Sequence, residues 1–72
     1  METTETVSIV VNGETKQAPC AATVSELLAV LGLNLGRVAI ERNLQILPRS
    51  DWPTTQVAAG DRYEIVQFVG GG

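Results

Sequence analysis

From Val7 the chain alternates, with Val7, Ile9 and Val11 pointing one way, Ser8 and Asn12 the other, and Val10 interrupting the alternation. A period of two is the signature of a half-buried strand. Asn12-Gly13 follows, a dipeptide that suits a type I′ turn because both central residues of that turn need positive φ. Glu14 to Ala18 is therefore predicted to return as the second strand of a hairpin, ended by Pro19, which has no N–H to give a ladder. The period then changes. Thr23-Val24-Ser25-Glu26 is a capping-box pattern, in which hydroxyl and carboxylate satisfy each other's free backbone N–H groups. Val24, Leu27, Leu28 and Leu31 follow at the spacing of one helical stripe, and Gly32 is placed to close the helix in the left-handed region.

Beyond Leu33 to Gly36, Arg37 to Arg42 reads as a strand with Val38 and Ile40 on one face. Asn43 begins a turn, Leu44 to Leu47 is a brief strand closed by Pro48, and Arg49 to Thr55 is irregular, with a helical turn around Trp52 and Pro53. Ala59-Gly60-Asp61 is a turn signal. Arg62 to Val69 is the last and most apolar strand. The order is hairpin, one helix, then three strand-like runs, which leaves no second helix for a ferredoxin-like arrangement. One apolar helical stripe is satisfied by an α+β fold, a mixed sheet of four or five strands with the helix packed across it. The last strand is then expected in the middle of the sheet beside the first, with its tail projecting from a rigid platform.

Composition narrows what such a scaffold does. Seventy-two residues make one domain, residues 1–72, near the lower limit at which a single core holds without staples. Residues 1–5 read as a polar extension and 70–72 as an exposed tail. The five basic residues, Lys16, Arg37, Arg42, Arg49 and Arg62, are scattered singly against eight acidic ones, for a net charge of −3. That argues against a nucleic-acid interface, which needs a basic stripe, and favours docking on a basic patch of a protein partner. With Cys20 as the one cysteine and no histidine, an internal disulfide, a cysteine–histidine zinc site and histidine-based triads are excluded by count. No bound cofactor or metal is expected. Neither a signal peptide nor a membrane-length apolar run is visible, so a cytoplasmic location is the expectation.

The candidate chemistry sits at the end, in Gly70-Gly71-Gly72. Glycines have no side chain with which to catalyse or ligate, but they form a narrow backbone strip that allows close approach. At about 3.3 Å per residue, three extended residues reach roughly 10 Å from a folded body. A terminal α-carboxylate is ionised at neutral pH and a poor electrophile. Activation as a mixed anhydride with AMP would let sulfur displace AMP and leave a thiocarboxylate, or an amine displace it and leave an isopeptide. Such a protein is a substrate and not an enzyme. Gly72 is the residue expected to be modified, Gly70 and Gly71 those that thread a partner's slot. A phosphate-cradling loop is ruled out because no helix follows the glycines.

The stretch Ala39-Ile40-Glu41-Arg42-Asn43, with Ile46-Leu47-Pro48-Arg49-Ser50 and Trp52, resembles the ThiS family of sulfur-carrier proteins of thiamin biosynthesis. Gly60-Asp61, the strand Tyr63 to Val69 and the closing Gly-Gly complete the likeness, which covers nearly everything after the first five residues. The resemblance implies a ubiquitin-like β-grasp fold with no activity of its own. It also implies adenylation of Gly72 by an E1-like enzyme of the ThiF type using ATP. Conversion to a thiocarboxylate with sulfur derived from cysteine, as through a cysteine desulfurase, would follow, and then delivery to a thiazole synthase of the ThiG type. The rivals are the small subunit of a molybdopterin-synthase-type system, a ubiquitin-like modifier of lysines, and a plain interaction domain.

Val66 and Phe68 fall on the strand face opposite Tyr63 and Ile65. If the latter pair meets the helix, Val66 and Phe68 form an exposed apolar patch before the tail, a docking surface for partners. The alternative is that strand twist or a loop covers them. Arg49 and Asp51 are read as solvated loop charges and Trp52 as a loop anchor over the core edge. Cys20 lacks an adjacent base to activate it as a nucleophile. Asp61 with Glu64 lacks the pocket that a carboxylate pair needs.

Overall fold

A computed structural model describes residues 5–33 and 37–68. Strands β1 (Thr6–Val11) and β2 (Glu14–Pro19) form the hairpin, followed by α1 (Val24–Leu31), β3 (Arg37–Arg42), β4 (Gln45–Ile46), a 3₁₀ helix (Arg49–Thr54) and β5 (Arg62–Phe68). The five strands make one mixed sheet in the order β2-β1-β5-β3-β4, with β5 parallel to β1 and antiparallel to β3. The last strand thus lies in the middle of the sheet beside the first, as the element order suggests.

Local chemistry explains where the elements begin and end. Asn12 and Gly13 take φ of 51° and 84°, the left-handed pair that the hairpin needs. The Thr23 hydroxyl accepts from the Glu26 N–H at 3.2 Å while the Glu26 carboxylate accepts from the Thr23 N–H at 2.8 Å. At the other end of α1, Gly32 at φ 75° lets its own N–H reach Ala29 O and the Leu33 N–H reach Leu28 O. These two bonds form a Schellman closure.

Three boundaries differ from the sequence reading. The second strand continues through Pro19, which pairs with Thr6. Because β2 is an edge strand and the Cys20 N–H supplies the next rung to Glu5 O at 2.8 Å, the N–H that Pro19 lacks would have faced solvent. The expected strand Leu44 to Leu47 shrinks to Gln45–Ile46, since Asn43 and Leu44, at φ 52° and 70°, form the turn itself. The irregular Arg49 to Thr55 run is a 3₁₀ helix as far as Thr54. Val69, assigned by sequence to the final strand, lies outside the described residues.

The core forms where one sheet face meets α1. Ile9, Val11, Ala18, Ile40, Tyr63 and Ile65 from the strands pack with Val24, Leu27 and Leu28 from the helix, and Trp52 and Val57 close one end. Leu31, the last member of the predicted stripe, is only partly buried at the margin. The Trp52 indole N–H donates to Leu47 O at 3.0 Å, which anchors the loop in the role expected of it.

One buried polar group ties the loops to this core. The Asp61 carboxylate, 5% exposed, accepts from the Ala58 N–H (2.9 Å), the Tyr63 hydroxyl (2.8 Å), Arg42 Nε (3.0 Å) and Asn43 Nδ2 (3.2 Å). Burial alone would raise its pKa, but the Ala58 N–H, the Tyr63 hydroxyl, Asn43 and Arg42 outweigh burial and hold it below the ordinary value. A depressed folded-state pKa means that its stabilisation is complete above the unfolded value near 4 and is lost as pH falls through the folded value. Asp61→Asn is expected to cost about 3 kcal/mol in urea unfolding at neutral pH and to remove this acid-dependent component. Burial first, then the bond to Asp61, pushes the Tyr63 phenol up to about 12. With Tyr63 the one tyrosine, an ultraviolet tyrosinate titration of the folded protein is expected to show its midpoint near that value, against roughly 10 in denaturant.

Candidate functional site

Strand β5 is held on both edges. On the β1 side, Val10 and Asn12 N–H groups donate to Asp61 O and Tyr63 O, both at 2.9 Å. On the β3 side, register runs from Arg42↔Tyr63 to Arg37↔Phe68. Strand β5 therefore carries its last described residue, Phe68, from the centre of a braced sheet. Gly70, Gly71 and Gly72, the expected threading and modified residues, lie outside the described residues.

Alternation along β5 sorts its side chains cleanly. Tyr63 and Ile65 are buried against the helix, whereas Val66 and Phe68 on the other face are 54% and 55% exposed. No described loop covers them, so the exposed alternative of the sequence reading is the one realised. The apolar face also extends further than the sequence suggested. Glu41↔Ile46 pairing puts Ile46 on this same face, 74% exposed, where Ala39, Glu41, Ile46, Glu64 and Val66 line a shallow cleft. Ile46 was missed because its orientation depends on the β3–β4 register, and that register depends on Asn43 and Leu44 both adopting the left-handed conformation. The Asn43 turn signal was visible, but nothing local marks a bulky Leu44 for positive φ.

Glu41 and Glu64 face each other directly across β3 and β5. Like charges so placed repel, and among the described residues neither makes an ion pair. The open face thus combines apolar Val66, Phe68 and Ile46 with an opposed pair of glutamates, and carries Arg37 opposite Phe68 and Arg62 opposite Val10.

The other residues singled out by sequence are dispersed. Arg49 lies over the Trp52 ring, 5.1 Å from its centroid, and Trp52 is buried in the core. The Asp51 carbonyl accepts from the Thr54 and Thr55 hydroxyls. Cys20 is exposed after the hairpin. Asp61 is the structural hub and Glu64 an exposed strand residue, so the two do not form a carboxylate pair. Among the described residues no three His, Cys, Asp or Glu side chains are grouped to hold a metal, and no helix is long and apolar enough to cross a membrane.

A five-stranded mixed sheet with its last strand central, parallel to the first and crossed by one helix, defines a ubiquitin-like β-grasp protein. The ThiS family profile matches residues 4–72. A crystal structure of the thiamine biosynthesis protein ThiS from Geobacter metallireducens superposes with a TM-score of 0.77 at 32% identity, covering 92% of this chain and all of that one. The sulfur carrier protein ThiS of Escherichia coli is 33% identical over 66 residues, 92% of this chain and 100% of its own. The chain belongs to the ThiS family. It is also 44% identical over 66 residues to a thiazole synthase of Paramagnetospirillum magneticum, of which those residues span 20%.

Exposure of the open face has a consequence for stability. Val66→Ser and Phe68→Ser are each expected to shift the urea-unfolding free energy by no more than about 0.5 kcal/mol. Ile65→Ala, one position away but buried, is expected to cost about 3 kcal/mol.

Proposed function

We propose that this protein is a sulfur carrier for the thiazole ring of thiamin, a substrate of other enzymes and not a catalyst. The observation that carries this reading is the family match running through residue 72, joined to full-length similarity with a sulfur carrier protein. In the proposed cycle the Gly72 carboxylate attacks the α-phosphorus of ATP in a ThiF-type enzyme, forming an acyl-adenylate and releasing pyrophosphate. Sulfur originating from cysteine, delivered as a persulfide by a desulfurase system, displaces AMP. A thiol then attacks the donor-side sulfur of the resulting acyl disulfide, forming a new disulfide with it and releasing the chain with a terminal thiocarboxylate, which gives its sulfur to a thiazole synthase of the ThiG type.

Each structural feature has a place in this cycle. The braced β5 leads towards the tail from the centre of the sheet as far as Phe68, and bare glycines fit a slot closed to side chains. Val66 and Phe68, just ahead of the tail in sequence, provide an apolar docking surface, with Glu41 and Glu64 suited to a basic side chain of the partner. ATP belongs to the activating enzyme, and the cycle is assigned to the cytoplasm, where thiols stay reduced. Similarity to one segment of a much longer thiazole synthase supports the synthase as a partner.

Incubation with ATP, a ThiF-type enzyme and a cysteine-derived sulfur source is expected to raise the intact mass by replacement of one oxygen with sulfur, located at Gly72. Gly71→Val is expected to abolish the change. Phe68→Asp is expected to raise KM for the carrier about tenfold, consistent with loss of an interface anchor worth 1–2 kcal/mol. An unchanged wild-type mass, or conjugates on lysines in its place, would overturn the proposal.

A further inference from the structure

Peptide groups in β5 alternate in the edge they face. Those of Asp61 and Tyr63 reach β1, while Arg62 turns the other way and accepts from the Asn43 N–H at 2.8 Å. Strand β1 ends at Val11 and the hairpin turns away, so no β1 peptide is available for the next rung, at Ile65. The Asn12 side chain supplies it. Its Oδ1 accepts from the Ile65 N–H at 2.7 Å and its Nδ2 donates to Ile65 O at 3.0 Å. A primary amide has the donor and acceptor of a peptide, and here it makes the pair of bonds that a continuing strand would make. Among the described residues no further bond from the hairpin reaches β5 at Gln67, so this amide is the final clamp on that edge.

We propose that Asn12 is a positioning residue for the C-terminal tail, an inference that rests on the sulfur-carrier reading. With the clamp, β5 is held from both edges as far as Ile65. Without it, the strand beyond Tyr63 is held through β3 alone, and the root of the tail gains freedom to pivot. That freedom lowers the fraction of docked complexes in which the acyl end occupies the adenylation slot. The backbone requirement of the turn is separable from the clamp, because glycine also adopts positive φ at this position.

Asn12→Gly keeps the turn and deletes the clamp, and Asn12→Asp keeps the acceptor for the Ile65 N–H but loses the donor. Amide hydrogen exchange on the free protein is expected to rise at Ile65 in Asn12→Gly while Ile9, paired with Lys16 in the hairpin, keeps its protection. In steady-state adenylation by a ThiF-type enzyme with ATP, kcat is expected to fall on the order of tenfold, the scale of a small misplacement of reacting groups. Asn12→Asp is expected to fall between the variant and wild type. Simple loss of folded carrier would reduce its effective concentration and raise KM, leaving kcat intact. Unchanged exchange at Ile65, or an unchanged kcat in a variant whose wild type is adenylated, overturns the role of Asn12 alone. A wild-type chain that is not adenylated overturns the functional reading and this inference with it.

Discussion

The Asp61 carboxylate is the point on which the arrangement of loops and strands converges. It sits at the mouth of β5 and receives hydrogen bonds from the loop before it at Ala58, from the core through Tyr63, and from the end of β3 through Arg42 and Asn43. A buried charge is tolerable only when its desolvation is met by such donors, and here they come from separate segments. Satisfying the carboxylate therefore requires these segments to be in place together. The same contacts set where β5 enters the sheet, and so where its far end emerges.

Around that anchor the sheet divides into two unlike surfaces. One face is sealed by a short helix and the Trp52 loop. The other is left open with Val66, Phe68 and Ile46 in water around two opposed glutamates. Exposed apolar strands invite edge-to-edge association, yet Val66 and Phe68 lie on β5 inside the sheet, where backbone pairing is already used. Of the three, Ile46 alone sits on an edge strand, the two-residue β4. The open face can thus offer apolar contact to a partner without offering a long free strand edge. The short β4 and the polar β2, which closes on Pro19, guard the two outer edges.

Polar side chains also do the work of missing backbone. Asn12 replaces a rung of β1, and Asn43 does the same on the other edge, its Oδ1 accepting from the Arg62 N–H at 2.9 Å. Both asparagines sit at positive φ in hairpin turns, at 51° and 52°. Left-handed geometry thus turns an amide side chain towards β5 from either side. Turn chemistry and strand support are combined in the same residues.

Much of this was legible in the residues taken in order. The period-two run from Val7, Asn12-Gly13, the Thr23–Glu26 box, the Leu stripe and Gly32 encode their elements locally, through rotamer, φ and capping preferences that act within a few positions. The glycine tail and the Glu-Arg-Asn and Pro-Arg-Ser stretches carried the family likeness for the same reason. What lay beyond a linear reading were contacts between distant segments: the four donors on Asp61, the Asn12 clamp on Ile65, and the placement of Ile46 beside Val66. Sequence alone determined the menu of strands and one helix, because those choices are set by neighbouring residues. Only the tertiary structure decided which face of β5 stayed open and which asparagines served as backbone, because register and burial depend on pairings far apart along the chain.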